Sequence, residues 1–586
     1  MLSRSHKRSN YSFLIIPLTA LTIGPGLHDV NGFPKLAAVV VGTFVLTMLY
    51  PENLKIKSKI VLIPWLIVAS YGILQLINLN DLNSFLLGTY MRNGGFIAII
   101  SFAVLLTIVS NLELGKINDF RLMVTISIYG LIIYWVLDFF ELLPYETKLT
   151  YQGALTLTLT NPNFTSAYLG IVISGLCLML IFKHKYFFSN ILILVVSLFL
   201  LFATQSLQGW LIVGVNLTII LIYFREKSYR LFNKYKKMIF FISSSVIVAI
   251  IFNLANISNW FITNASVKQR LSYWNLSLDI WRHHPIIGIG LDNLRNFTTI
   301  YRSEELVRQE GMFTAPDRSH NVILDQLVNG GVVTASLWLI FIFLVTRLAI
   351  KNVILVKHSE TTSNLLFVSL CWFGYLVQSF ISVDHLALTI IGYISAGFII
   401  GSSVKGYSEK NVKTVLFMNI KLVRTLGASI FMILILYGIQ IFKFEYNAYQ
   451  FLINNSSLAL KNVYDSKVIV AQTLEDVAVK VSQAKDFENA YLLALKLIEH
   501  DPTSHQAYYM RAVYYESKND LTQAKQDMLK ALELDRYNSV YLLGMSVLEY
   551  NTGQFINSRK YLEDTIKINP NQVGIDLVKN LLDKKS

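Results

Sequence analysis

Val332-Val333-Thr334-Ala335-Ser336-Leu337-Trp338-Leu339-Ile340-Phe341-Ile342-Phe343-Leu344-Val345 contains no charged side chain. Roughly 20 apolar residues, wound as a helix, cross the hydrocarbon core of a bilayer. Runs of this character recur about thirteen times before Lys443, from Leu14–Leu27 and Leu36–Tyr50, through Met238–Leu254, to Leu426–Ile441. Backbone polar groups must be paired inside lipid, so these runs read as helices rather than strands. The composition agrees: 54% of the 586 residues are hydrophobic and 15% charged, against about 25% charged in a soluble domain. The expected fold is all-α, a polytopic bundle of membrane helices. Working outward from the quoted run, the segment before it, Asn256 to His320, is the one long hydrophilic interruption of that bundle.

The net charge of +14 would suit a nucleic-acid partner, but its placement argues against one. Basic residues gather in alternate connections: Arg4, Lys7 and Arg8; Lys55, Lys57 and Lys59; Lys183 and Lys185; Arg225 to Lys237; Lys351 and Lys357; Lys405 to Arg424. The intervening short loops hold only Lys35, Arg92 and Lys148. Membrane proteins keep Lys and Arg in their cytoplasmic loops. This pattern predicts a cytoplasmic N-terminus and, after an odd number of spans, a C-terminal domain outside the plasma membrane. Cys177 and Cys371 both fall in predicted spans and offer neither a disulfide framework nor metal-ligand spacing. The first apolar run follows a basic N-terminus without a small-residue cleavage site, so it reads as a retained span.

Residues 1–443 are the predicted membrane domain, with an external loop at 256–331. Beyond Lys443 the long apolar runs stop. Ala490, Ala524 and Ser558 recur at a period of about 34, as do Pro502, Arg536 and Pro570, each of the latter preceded by Asp501, Asp535 or Asn569. That period resembles the tetratricopeptide repeat, and Gly544, Tyr550 and Gly553 fit its last copy. Arg536 departs from the usual proline. Residues 487–586 are therefore expected to form a short α-solenoid, joined to the last span by a helical connector at 444–486. A solenoid predicts a protein partner, or rigid packing against the membrane domain, and no chemistry of its own.

The unusual polar residues fall on one predicted side of the membrane. They are Tyr90 and Arg92; Asn161 and Asn163; Thr204, Ser206 and Gln208; Arg270, Trp274, Arg282, His320 and Asn321; Asp384 and His385. The mid-membrane regions carry almost no ionisable residues, which disfavours an ion-coupled transporter. Arg270 to His284 lacks Gly and Pro and is stopped by Pro285, so it reads as a helix. On it Arg270, Trp274 and Trp281 share a stripe, and Arg282 lies about a third of a turn away. Tryptophans on such a stripe suggest a helix lying along the headgroups. Guanidinium forks fit phosphate oxygens, and a histidine can take a proton from a hydroxyl near neutral pH. Cations and one imidazole at a membrane surface suit chemistry on a lipid-linked phosphate. Asp384-His385 and His283-His284 also read simply as polar residues that end helices. Gly288-Ile289-Gly290 lacks the strand-turn-helix setting of a dinucleotide site.

Three ordered stretches resemble the bacterial O-antigen ligase and O-antigen polymerase superfamily, which includes protein O-oligosaccharyltransferases. They are Asn161-Pro162-Asn163-Phe164 with Ala167-Tyr168-Leu169; Arg270-Leu271-Ser272-Tyr273-Trp274 with Pro285-Ile286-Ile287-Gly288-Ile289-Gly290; and Ser319-His320-Asn321-Val322-Ile323-Leu324 with Gly330-Gly331. The resemblance covers about Tyr90 to Ile400. It implies a membrane glycosyltransferase that moves a glycan from undecaprenyl diphosphate to an acceptor hydroxyl, with inversion and with no metal or other cofactor. By motif, His320 would be the base or acceptor-orienting residue. Arg270 would bind diphosphate, with Arg282 in support. Substrate contacts would come from Arg92, Asn161, Asn163, Ser206, Gln208, Trp274, Asn321, Asp384 and His385. In one place the chain departs from the family. Where the family often has Ser-Arg in the turn before the eighth span, this chain reads Thr204-Gln205-Ser206-Leu207-Gln208-Gly209. Arg92 or Arg282 are the candidates to replace that cation.

The acceptor stays open among a glycan, the cell wall and a protein. A polymerase, with a second lipid-linked glycan as acceptor, would use the same residues. A flippase for lipid-linked sugar fits the many spans but not the one-sided polar cluster. A non-catalytic scaffold built around the repeats is a further alternative.

Overall fold

The computed structural model describes residues 12–78, 81–143, 150–151, 153–182, 187–225, 265–312, 314–355, 360–405, 416–417 and 419–584. The run Met238–Leu254 and residues 256–264 of the external loop lie outside these. The membrane part comprises α1 (Ile15–Leu21), α2 (Gly32–Leu49), α3 (Lys59–Asn78), α4 (Leu82–Leu87), α5 (Phe96–Ser110), α6 (Ile117–Phe139), α7 (Pro162–Ile181), α8 (Phe187–Ala203) and α9 (Leu207–Tyr223). There follow α10 (Ala265–His283), α11 (Leu294–Tyr301) and α12 (Glu304–Glu310) of the large loop, then α13 (Val322–Leu355), α14 (Glu360–Ile381), α15 (Leu386–Lys405) and α16 (Ile420–Asn454). The chain is a multi-pass membrane protein. Among the described residues eight helices, α2, α3, α6, α7, α13, α14, α15 and α16, are long and apolar enough to cross a bilayer, and α5, α8 and α9 are shorter apolar helices. The bundle is built around α7, α14 and α15, which are the most enclosed, while α16 is almost wholly exposed along its apolar length.

Two expectations from the sequence change. The first apolar run is helical only over Ile15–Leu21, because Thr22 turns extended and the chain then bends through Gly24-Pro25-Gly26. The last span does not stop at Lys443. No proline or cap interrupts it, and α16 continues to Asn454, where Asn455 ends it in a left-handed conformation. The first part of the connector is thus an extension of the membrane helix.

α13 is broken at Gly331, whose φ of 62° and ψ of −169° are non-helical. Only glycine adopts that conformation without strain, and a Cβ there would collide with the Ile286 carbonyl. The break frees the carbonyls of Val328 and Asn329. They accept from the amides of Ile289 (2.9 Å) and Gly290 (2.9 Å), while the Val332 amide donates to the Pro285 carbonyl (3.0 Å). Gly288, at φ 66°, passes so close to Val328 and Asn329 that no side chain fits. The glycine-rich stretch Pro285–Gly290 is therefore a backbone latch that ties the loop to the top of a membrane helix. It satisfies groups that a buried helix break would otherwise leave unpaired.

Beyond α16 lie α17 (Ser457–Asp465), α18 (Ala471–Gln483), α19 (Phe487–His500), α20 (His505–Ser517), α21 (Leu521–Leu534), α22 (Ser539–Asn551), α23 (Phe555–Ile568) and α24 (Ile575–Asp583). The pairs α18/α19, α20/α21 and α22/α23 stack, and α24 covers the end. The first pair begins at Ala471, inside the stretch assigned from sequence to the connector. The periodic small residues Ala490, Ala524 and Ser558 are buried on the second helix of each pair, where the helices meet. Asp486, Ser504, Asp520 and Asn538 accept from backbone amides at successive helix starts, which sets the helix boundaries locally.

The two ends of the bundle are distinct. At one, the short strands β1 (Lys55–Ile56) and β4 (Leu416–Phe417) pair antiparallel, and Asn111 donates to the Asn53 and Lys55 carbonyls. Between them in sequence, β2 (Thr150–Tyr151) and β3 (Ala154–Leu155) form a separate hairpin. At the other end the solenoid sits on the large loop. Arg302 Nη2 meets both carboxylate oxygens of Asp535 at 2.7 and 2.8 Å, with the two side chains almost completely buried. His500 reaches Asp81 at 3.1 Å, Arg295 reaches Glu475 at 3.7 Å, and Lys567 reaches Glu304 at 2.9 Å. Asp535 is the residue before Arg536 in the repeat pattern.

Candidate active site

The segment Asp317–Asn321 is held from every side at the solenoid end of the bundle. Arg92, in the loop before α5, donates through Nε to Asp317 (2.6 Å) and through Nη2 to its other oxygen (3.3 Å). Arg318 pairs with Asp292 at 2.6 Å. Asp292 in turn accepts from the Thr89 amide at 2.7 Å, and its carbonyl accepts from the Thr89 hydroxyl at 2.8 Å. The Ser319 amide donates to Asp325 (2.7 Å), and Ser277 of α10 donates to the Ser319 hydroxyl (2.9 Å). Asn321 caps α13 by accepting from the Ile323 amide (3.0 Å) and donates to the Phe380 carbonyl at the end of α14 (3.1 Å). His320 sits at the apex with φ 56°, a left-handed conformation that L residues adopt at a cost. The surrounding ion pairs and hydrogen bonds hold it there.

The histidine is arranged as a base. Its Nδ1 lies 3.2 Å from the Arg318 carbonyl. A carbonyl only accepts, so Nδ1 carries the proton and the lone pair is on Nε2. The ring packs on Tyr273 at 5.4 Å between centroids, and the Tyr273 hydroxyl is fixed by donation to Glu310 at 2.8 Å. Burial lowers the pKa of His320. The Asp317 carboxylate opposes that shift, while Arg92 and Arg270 add to it. The imidazole is therefore neutral at neutral pH. Burial would raise Asp317, but the charge and hydrogen bonds of Arg92, with Arg318 and His320 nearby, hold its carboxyl down to about 2.

α10 carries the other half of the site. Arg270, Tyr273, Trp274 and Ser277 follow helical spacing, and Tyr273 and Ser277 contact the His320 segment. Arg270 Nη1 donates to Ser266 at 3.0 Å. Its Nε and the Trp274 Nε1 are buried donors with no acceptor among the described residues, and such groups call for a water, an ion or a ligand. Burial also lowers the Arg270 pKa, and a guanidinium still remains charged. Arg282 is not brought to this place. It is exposed on another face of α10 and lines a separate groove with Lys268, Asp279 and Tyr301.

The remaining sequence candidates divide by what they touch. Arg92 is paired with Asp317 and lies 5.6 Å over the Phe164 ring, so it is not a free cation. Asn161 caps α7 by accepting from the Asn163 backbone amide, and the Asn163 side-chain Oδ1 accepts from the Ser206 hydroxyl at 2.8 Å. These residues join two helix starts. Gln208 is buried with both amide ends unpartnered among the described residues, in the turn that lacks the expected arginine. His385 packs tilted against Phe164 at 4.8 Å, and its Nδ1 is buried with no partner among the described residues. Its pKa is driven far down by burial, then by Lys35 and Arg92. Burial raises the neighbouring Asp384 to about 7, against the nearby charge of Arg318.

Sequence reasoning missed Asp292, Asp317, Arg318 and Tyr273. Asp317-Arg318 stands directly before Ser319-His320, and that adjacency was the available signal. Among the described residues no group of three or more His, Cys, Asp or Glu is placed to hold a metal ion.

Residues 191–339 match the model of the O-antigen ligase family, and residues 493–526 match that of the tetratricopeptide repeat. The first match runs from α8 into α13 and contains Arg270, Trp274, His320 and Asn321. The second spans parts of the first two helix pairs. No curated protein matches the chain.

Proposed function

With a membrane domain bearing an O-antigen ligase segment as the premise, we propose that the protein transfers a glycan from a polyprenyl diphosphate to an acceptor hydroxyl on the extracytoplasmic side of a bacterial plasma membrane. In this reading His320 Nε2 takes the proton of the acceptor hydroxyl. The acceptor oxygen bonds to the anomeric carbon from the face opposite the leaving group. The bond from that carbon to the phosphate oxygen breaks with inversion, and the polyprenyl diphosphate departs. Arg270 and the Trp274 N–H receive the diphosphate oxygens as their charge grows, which is where fixed donors lower a barrier most. Arg92 and Arg318 position the His320 segment through Asp317 and Asp292. Their charges are offset, so Arg270 carries the main burden that a second arginine would otherwise share, with the Gln208 amide as an additional donor. The step uses these side chains alone. The outward orientation rests on the placement of Lys and Arg in alternate connections.

One observation carries the proposal. A histidine whose Nδ1 faces a carbonyl, and whose Nε2 has no hydrogen bond among the described residues, packs on Tyr273 one helical turn from the half-buried Arg270, whose Nε has no acceptor among those residues. The test is purified protein in nanodiscs with undecaprenyl-diphosphate glycan and candidate acceptors, read by mass analysis. His320→Ala and Arg270→Ala should each abolish product while the protein stays folded. Lengthened lipid-linked chains would assign polymerisation, and lipid-free conjugates ligation. Full transfer by both variants, or movement of donor across the bilayer with no new glycosidic bond, would refute the assignment.

A further inference from the structure

The inner side of the repeat stack is not sealed against the membrane domain. A cavity of about 550 Å³ separates α11, Met312 and Ala315 of the loop from the first helices of the three repeat pairs. That size suits a ligand of several rings. A narrower space of about 70 Å³ continues from it toward the loop before α5, and the two share Arg295, Asn296, Glu475 and Asp501 as walls. The far wall of the narrow space is Gly88, Thr89 and Asp292. Asp292 holds Arg318, two residues from His320. The narrow space thus ends at residues that hold the His320 segment.

The lining is chemically distinctive. Apolar surface from Val479, Met510 and Val540 is interleaved with hydroxyls and amides, including Thr503, Gln483 and Gln506. Tyr509 is half-buried beside them and stacked on Tyr541 at 4.9 Å. Beside its apolar surface this wall presents hydrogen-bonding groups and an aromatic ring. Such groups match sugar hydroxyls and the apolar face of a pyranose ring. Glu475, Asp476 and Asp501 line the cavity with Arg295 and His505, and burial raises all three carboxyls, Glu475 to about 7. An excess of carboxylates repels polyanions.

We infer that this cavity is a binding site for an uncharged or amino-sugar glycan chain, the acceptor in the proposed reaction, delivered along the solenoid to the His320 segment. The inference rests on the transferase reading for the word acceptor, but its binding test does not. Full-length protein in nanodiscs would be titrated calorimetrically with N-acetylglucosamine hexamer and with galacturonate hexamer. The first should bind at least ten-fold more tightly than the second. Gln506→Trp, which fills the cavity, and Tyr509→Ala, which removes the platform, should each weaken binding at least ten-fold with the thermal unfolding midpoint retained. His320→Ala should bind like the parent, so a protein that binds hexamer but transfers nothing would sink the reaction and keep the site. No binding of the neutral hexamer, equal binding of the polyanion, or binding that ignores Gln506→Trp would overturn the inference. So would a peptide that occupies the cavity in place of the hexamer.

Discussion

Replacing Arg302 by Met should unseat the solenoid. The Arg302 side chain is 1% exposed and Asp535 is 0% exposed, so the substitution leaves a carboxylate buried without its counter-charge. Asp535 would keep only the Asn538 amide at 2.9 Å and His505 at 3.9 Å. Breaking a buried pair from one side costs about 3–5 kcal/mol. At about 1.4 kcal/mol per factor of ten, the undocked population rises roughly 10²- to 4,000-fold. The solvent-screened Lys567–Glu304 pair on the same seam contributes little, so Lys567→Ala is the internal control. Hydrogen exchange on the full chain in nanodiscs would follow peptides covering residues 294–302 and 505–541. Both should exchange faster in Arg302→Met and stay unchanged in Lys567→Ala. The double variant Arg302→Met with Asp535→Leu removes both charges and should recover much of the protection, because no ion is then stranded. Equal exchange in Arg302→Met and Lys567→Ala, or a double variant as exposed as the sum of its parts, would refute the reasoning.

Transfer should fail in acid through His320. Burial holds its pKa below the ordinary value of about 6.5, so protonation of Nε2 removes the base only as pH falls below that value, and the acid limb of kcat/KM should lie there. Asp317→Asn should move that limb to still lower pH, since the carboxylate is the charge that favours the imidazolium; an unmoved limb would place the titrating group elsewhere. Gly331→Ala should destabilise the loop by about 3 kcal/mol or more, from a conformation closed to other residues and a collision with the Ile286 carbonyl. Faster hydrogen exchange at Ile289 and Gly290 reads this out, and native exchange there would show that the latch is not tight.

Much of the architecture was legible because it is local. Apolar runs of span length, such as Pro162–Ile181, become helices wherever lipid removes water, since no other conformation pairs their backbone. The period that joins Ala490, Ala524 and Ser558 repeats one helix pair, and each copy needs a small residue at the same crossing. The segment around His320 was legible as a motif. Its working parts were only partly so. Gly288 and Gly331 stand out in the sequence, but that they meet at a helix break follows from packing. Arg92 reads as a free cation until Asp317, 225 positions away in the chain, is found against it. Arg282 reads as a partner of Arg270 until α10 is seated, and seating turns it to another groove.

The sequence by itself determined that this chain fills a membrane, that its tail is a helical repeat, and that a histidine and several arginines belong to the same end of the bundle. Hydropathy, periodicity and capping act over a few residues and need no distant partner. The tertiary structure alone decided which cations are neutralised by buried carboxylates and which remain available to a ligand. Pairing energy depends on the distance between groups far apart in the chain, and only the packed fold sets that distance.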